Sequence, residues 1–214
     1  MDREVDQFLE RHPELSVCRE SLNNMVETVV QIFRNGGTLF TCGNGGSAAD
    51  SEHICGEFLK GFLSLRPLNA DRRGRFESLF GDEGAKMAAK LQNGLRCISL
   101  LSHPAYVSAF ANDVDAELVF GQQLWALGRE GDALLAISTG GNAGNVKRAL
   151  MVAKVIGMRS ILLTGNRHGC CETYADCVVA VPESETYRIQ ELHLPVYHFL
   201  CMAVESRMFG GGLA

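Results

Sequence analysis

The sequence predicts an α/β protein: a three-layer α/β/α sandwich around a five-stranded parallel sheet, with helices added at the N-terminus. Three observations carry this. Five short runs, at 38–42, 96–101, 133–137, 160–164 and 177–181, are mostly apolar, as strands buried on both faces are. Helical periodicity fills the intervals between them. Strands alternating with helices of this length give a parallel sheet covered on both sides, with right-handed crossovers. Two of the runs also end in glycine-rich turns that lead into helical patterns, Gly43-Asn44-Gly45-Gly46-Ser47 and Ser138-Thr139-Gly140-Gly141-Asn142.

Taken in order, residues 15–34 carry Leu22, Met25, Val26, Val29, Val30, Ile32 and Phe33 at helical spacing, and Gly36-Gly37 stops that helix. The first strand, 38–42, is followed by a helix at 47–62. Residues 66–84 differ in character. Asn69-Ala70-Asp71-Arg72-Arg73-Gly74-Arg75 is polar and mixed in charge, so 66–84 is expected to be a mobile loop insertion, with a short helix at 83–91 on the way back. The second strand is 96–101. A helical pattern over 105–127 breaks at Asn112-Asp113. The third strand, 133–137, leads to a helix at 142–156. Strands follow at 160–164 and 177–181, the last closed by Pro182. The final helix covers 186–208 and stops at Gly210-Gly211-Gly212. The chain of 214 residues reads as one domain, 1–214, long enough for a full core.

Composition narrows the function. A net charge of −5 argues against nucleic acid as the main partner, because such domains carry a basic face. No apolar run reaches the ~18 residues of a membrane span. Residues 1–6 lack the charged-then-apolar order of a signal peptide. The eight cysteines include no CxxC pair, and Cys42, Cys97, Cys177 and Cys201 lie in apolar runs, where cysteine acts as a small hydrophobe. A reduced, cytoplasmic protein is expected, without membrane contact.

The glycine turns point to an anion. Glycine lets the backbone approach a ligand closely, and the following helix offers unpaired N–H groups and the positive end of its dipole. Neither turn is a nucleotide fingerprint. There is no Lys-Ser or Lys-Thr, and Ala48 occupies the last position of GxGxxG, so no nucleotide cofactor is expected. Two such turns, with the hydroxyls of Ser47, Ser138 and Thr139, suit a phosphorylated small molecule between two strand ends. The cluster Arg72, Arg73 and Arg75 reads chiefly as a solvated surface, with a phosphate contact as the alternative.

Two helices carry further chemistry. His53 and Glu57 are four residues apart and share a face. In the last helix lie Gln190, Glu191, His193 and His198, with Gln190 and His198 eight residues apart and ~80° offset. His plus Glu on one helix and Gln plus His on another make a plausible metal set or acid–base set.

With these residues in view, the chain resembles the phosphoheptose isomerase branch of the sugar isomerase (SIS) domain proteins, a flavodoxin-like fold. The resemblance runs through Gly43-Asn44-Gly45-Gly46-Ser47, His53, Glu57, Ile137-Ser138-Thr139, Arg188-Ile189-Gln190-Glu191-Leu192-His193 and His198. It implies an aldose–ketose isomerase acting on a phosphorylated sugar, sedoheptulose 7-phosphate first. Substrate binding is implied for Asn44, Gly45, Ser47, Asn112, Asp113, Ser138, Thr139, Gly140, Asn142 and Gln190. Glu57 and His198 are implied as the acid–base pair. In members that hold zinc, the counterparts of His53, Glu57, Gln190 and His198 are its ligands. The resemblance further implies a homotetramer that uses the N-terminal helices of 1–36 and builds its sites from neighbouring subunits.

The chain also departs from the family. Gly140 and Ala143 stand where serines are usual, Tyr187 where some members have an acid, and Pro195 interrupts the last helix. A non-catalytic SIS protein that binds a phosphosugar or a regulatory partner is the alternative expectation.

Overall fold

Five parallel strands form one sheet in the order β2-β1-β3-β4-β5. They are β1 (Leu39–Cys42), β2 (Cys97–Ser99), β3 (Ala133–Ile137), β4 (Arg159–Gly165) and β5 (Cys177–Val181). The computed structural model describes residues 2–210, so the expected stop at Gly211-Gly212 lies outside the described residues. β3 and β5 have the bounds expected from sequence. β2 is shorter than expected because it is an edge strand, pairing only with Leu39–Thr41 of β1. On its other side β1 pairs with β3, with Cys42 opposite Ala136. Chain order therefore reverses between β1 and β3, and ligands bind at such a switch point, beyond the carboxyl ends of the strands.

Alternation along each strand divides the core between the two faces of the sheet. Leu135 and Ile137 of β3 point to one face, where Ile161, Leu163, Val179 and Val181 join them under α1 (Asp2–Arg11), α2 (Arg19–Arg34), α3 (Gly46–Leu59) and α8 (Thr186–Phe209). Leu134 and Ala136 point to the other face, with Phe40 and Leu162, under α6 (Val119–Leu127) and α7 (Gly144–Ile156). α2 buries the seven residues whose spacing predicted it, and α7 buries Val146, Ala149, Leu150 and Ala153 before Gly157 ends it in a left-handed cap. The break expected within 105–127 is a π-helical turn at Ala111–Asp115 and a 3₁₀ turn at Ala116–Leu118, between α5 (Pro104–Phe110) and α6. α8 runs through Pro195 as one helix. The carbonyl that proline leaves without its helical donor belongs to Glu191, an exposed residue that water can serve.

The expected loop at 66–84 is corrected by the structure. Most of it is helix α4 (Ala70–Ala88), started by the Asn69 side chain accepting from the Arg72 N–H and bent at Gly81. The mixed charges that read as a loop are set at helical spacing, Asp71 with Arg75 and Arg73 with Glu77, four apart in each case. Phe76, Leu79 and Phe80 follow as a cluster, with Leu79 and Phe80 exposed. Polarity masked a helix whose apolar residues are few and bunched in its middle.

A buried ion pair fastens the chain just before α4. The Arg66 and Glu205 side chains are 0% and 4% exposed, with Arg66 Nε donating to Glu205 Oε1 at 2.7 Å. Glu205 also accepts the backbone N–H groups of Phe62, Leu63 and Ser64, and Arg66 Nη1 donates to the Phe58 carbonyl at the end of α3. Arg66 adopts a left-handed conformation, φ 42°, which an L-residue tolerates when its surroundings over-determine it. Burial alone raises the Glu205 pKa, but the N–H groups of Phe62 and Leu63 and the Arg66 charge together hold it below the usual carboxylate range. Glu205 therefore contributes stability above the ordinary carboxylate pKa, and that stability is lost as pH falls through the lower folded value. Arg66→Met leaves Glu205 buried without its cation and should cost about 3–5 kcal/mol in urea unfolding at pH 7. A midpoint and slope equal to wild type would contradict this account.

Candidate functional site

The two glycine turns stand side by side because β1 and β3 are neighbours in the sheet. Gly45 (φ 57°) and Gly141 (φ 64°) take the left-handed conformations that turn each chain from strand toward helix. Between them lies a cavity of about 330 Å³ lined by Asn44, Gly45, Gly46, Ser47, Ile137, Ser138, Thr139, Ala143, Thr186 and Gln190. Ser47 and Ser138 are buried polar residues in this wall, and the first turn of α3 supplies unpaired N–H groups. The two turns are tied by a reciprocal amide pair, with Asn44 and Asn145 each donating to the other at 2.9 Å. The cavity carries the features of an oxyanion or phosphate pocket: backbone donors, four hydroxyls at Ser47, Ser138, Thr139 and Thr186, and no carboxylate in its lining.

α3 and α8 run alongside each other in the same direction. At their N-terminal ends Gln190 packs on Gly46. Two turns further on, His53, Glu57 and His198 meet. The His53 and His198 rings are 5.2 Å apart between centroids, and His53 Nε2 lies 3.3 Å from Glu57 Oε1. Lys60 Nζ donates to Glu57 Oε2 at 2.7 Å. Gln190 and His198 are eight positions apart along α8, an axial distance of about 12 Å. Within one chain the four residues thus form two stations, a glycine-turn pocket with Gln190 and a cluster of His53, Glu57 and His198.

The electrostatics of the second station follow from burial. The His198 pKa is lowered, first by desolvation and then by the charge of His53, with Glu57 opposing. His198 is therefore neutral at pH 7, and its Nε2 is buried with no hydrogen-bond partner. Asp50 is pushed up by burial, opposed by the Tyr197 hydroxyl and by His53. The donor types of His53, Glu57 and His198 suit zinc, and the unpartnered Nε2 of His198 is the kind of atom a metal would take. Gln190 stands away from them. Among the described residues no group of three or more His, Cys, Asp or Glu is arranged to hold a metal ion.

Other residues singled out from sequence lie elsewhere. Asn112 and Asp113 are exposed on the π-helical turn, with Asn112 donating to Asp113 at 2.9 Å, and they do not line the cavity. Asn142 and Gly140 sit on the outer side of the second turn, where Asn142 donates to the Gly140 carbonyl and accepts from the Cys170 N–H. Arg72 donates to Asn93 and, with Arg73 and Arg75, is absent from the cavity wall. His193 is fully buried against the Thr164 carbonyl, and burial lowers its pKa to about 4. It is neutral and structural, as its position on another helix face predicts. Asn145, Thr186 and Tyr197 were not legible as site residues. Asn145 lies three residues beyond the glycine turn, Thr186 is marked only as a helix start, and Tyr197 looks like core.

A Cβ on Gly46 would collide with the amide of Gln190. Gly46→Ala should push Gln190 out of the cavity and weaken sugar-phosphate binding by about 2- to 10-fold, the worth of one hydrogen bond. Calorimetric titration with a sugar phosphate checks this, and undiminished affinity would mean that Gln190 does not contact the ligand.

Comparison with known proteins bears on the whole chain. No family model matches it. It is 36% identical over 192 residues to the phosphoheptose isomerase of Crocosphaera subtropica, covering 90% of this chain and 84% of the relative. It is 37% identical over 185 residues to the phosphoheptose isomerase of Roseiflexus sp., covering 86% and 81%. Among solved structures, phosphoheptose isomerase from Neisseria gonorrhoeae superimposes with a TM-score of 0.73 at 29% identity, covering 95% of this chain and 94% of that one. The parallel sheet, the paired glycine turns and this similarity along nearly the full length agree, and the chain belongs to the phosphoheptose isomerase family of SIS-domain phosphosugar isomerases.

Proposed function

We propose that this protein interconverts sedoheptulose 7-phosphate and an aldoheptose 7-phosphate. The observation that carries the reading is the pairing of two stations on α3 and α8, a hydroxyl- and amide-lined pocket for the phosphate and a cluster of His53, Glu57 and His198 for proton transfer. The phosphate sits between the two turns on Ser47, Ser138, Thr139 and the helix N-terminus, with Asn44, Gly45 and Gln190 around the sugar, while Gly140 and Asn142 shape the second turn from its outer side. Of Glu57 and His198, one removes the proton from C1 beside the ketone while the other manages the protons of the oxygens. The 1,2-enediol so formed is reprotonated on C2, which leaves the aldehyde at C1. Neutral His198 can accept a proton and return it within one turnover.

We further propose a zinc site drawn from His53, Glu57, Gln190 and His198. Bound there, zinc would polarise the carbonyl and hydroxyl oxygens of the sugar. The distance along α8 between Gln190 and His198 supports an assembly, a homotetramer, in which residues of neighbouring copies complete each site and bring Asn112 and Asp113 to the sugar. The helices of 1–36 are the proposed contact. No helix among the described residues is long and apolar enough to cross a membrane, and all eight cysteines are free thiols, which supports a reducing cytoplasm as the location. Gly140 and Ala143, in place of the usual serines, favour a second reading as a non-catalytic phosphosugar-binding protein.

Incubation with sedoheptulose 7-phosphate in deuterated water, followed by NMR, separates the two. The isomerase reading expects an aldose product with deuterium at C2. Tight binding without exchange would leave the binding protein. His198→Gln and Glu57→Gln should each lower turnover by about 10²–10⁴-fold, and full activity in either would remove that residue from the acid–base pair.

Gly140 has open space around it and Ala143 lines the cavity. Ala143→Ser should therefore tighten phosphosugar binding by about 0.5–1.5 kcal/mol, whereas Gly140→Ser, on the outer side of the turn, should leave it unchanged. Calorimetry showing no gain would place the phosphate elsewhere.

A further inference from the structure

Three residues of α3, Asp50, His53 and Glu57, fall at spacings of three and four on one helix face. Behind them stands Tyr197 of α8, a core residue 1% exposed. Its hydroxyl lies 3.1 Å from His53 Nδ1 and 3.3 Å from Asp50 Oδ1. We propose that Tyr197 is a positioning residue for His53: it links the ring to Asp50 and fixes it with the proton on Nδ1, so that Nε2 presents a lone pair to Glu57 and the reaction centre.

The argument is one of counting hydrogens. The hydroxyl has one proton and two neighbours that could accept it. Asp50 Oδ2 is buried with no partner, so a hydroxyl turned toward His53 would leave the half-buried carboxylate with no side-chain donor at all, a costly arrangement. A hydroxyl donating to Asp50 makes the charge-assisted bond, the stronger of the two. Its oxygen then accepts from Nδ1–H of His53, and the tautomer is set. Nε2, 3.3 Å from Glu57 Oε1, becomes an acceptor facing an acceptor, a pair that needs a shared proton or a cation between them. A third group that orients an imidazole through its distal nitrogen is a general device of both acid–base and metal sites. Tyr197 precedes His198 in sequence, so α8 contributes one group to the cluster directly and one through His53.

This inference rests on the proposed reaction centre only in assigning His53 a use, and its test does not require turnover. Full-length protein carrying ¹⁵N-histidine is stripped of metal with a chelator, so that no metal dictates the tautomer, and held at pH 8. Long-range ¹H–¹⁵N correlation, with the His53 signals assigned by their loss in His53→Gln, reports which nitrogen bears the proton. Wild type should show Nδ1–H. Tyr197→Phe keeps the ring and removes the acceptor, and the proton should move to Nε2, donating to Glu57. Asp50→Ala, a surrogate should Tyr197→Phe not fold, frees the hydroxyl to donate to Nδ1 and should cause the same move. An Nε2–H tautomer in wild type, or Nδ1–H retained in the variants, overturns the proposal. A protein that passes this test yet isomerises no ketose phosphate would refute the function alone, and an active isomerase that fails it would refute the positioning role alone.

Discussion

The pairing of β1 with β3 is the constraint on which the rest of the structure depends. Its register, Leu39 with Ala133 through Cys42 with Ala136, brings two strands distant in sequence to end at the same level. Each then turns through glycine into a helix, and the two turns face one another across a cavity of about 330 Å³. The Asn44–Asn145 pair bridges them. A shift of one residue in that register would turn Leu135 and Ile137 out of one core layer and into the other. The same burial that stabilises the sheet therefore fixes the width of the pocket.

A second constraint acts along α3 and α8. Both helices rise from the pocket level, and their shared direction places equivalent turns beside each other: Gly46 beside Gln190, and His53 beside Tyr197 and His198. Two stations about 12 Å apart follow from helix rise alone. The far ends are joined by Glu205 of α8, which gathers the backbone of Phe62, Leu63 and Ser64, and by Arg66, which binds both Glu205 and the last carbonyls of α3. Glu57 lies in the turn that Arg66 caps, so a buried ion pair far from the glycine turns bears on the position of the Glu57 carboxylate. Phe62, next in the same loop, packs its ring on His198 at 5.5 Å.

Burial gives the polar groups between these helices unequal characters. His193 is enclosed, bonded through one nitrogen to Thr164, and neutral. His198 is less enclosed, with a buried nitrogen still unpartnered. His53 is largely exposed but held from behind by Tyr197. The three histidines thus differ in enclosure, with His193 buried, His198 half-buried and His53 exposed on one side.

The sequence by itself determined the sheet, the order of strands and helices, and the two turns, because burial on both faces forces apolar strands and positive φ favours glycine. β3 and β5 are legible to the residue for that reason, and so is the spacing that puts His53 with Glu57 on one face. The polar stretch at 66–84 became α4 through local signals, the Asn69 cap and charges four apart, that composition alone does not reveal. Only the tertiary structure decided the rest. Asn112 and Asp113 were placed on an outer turn, Gln190 was separated from His198, and Tyr197 was turned from a core aromatic into the partner of Asp50 and His53. Local pattern specifies which face a residue occupies. Which atoms meet across two helices depends on how those helices are set against each other, and that is fixed by long-range packing.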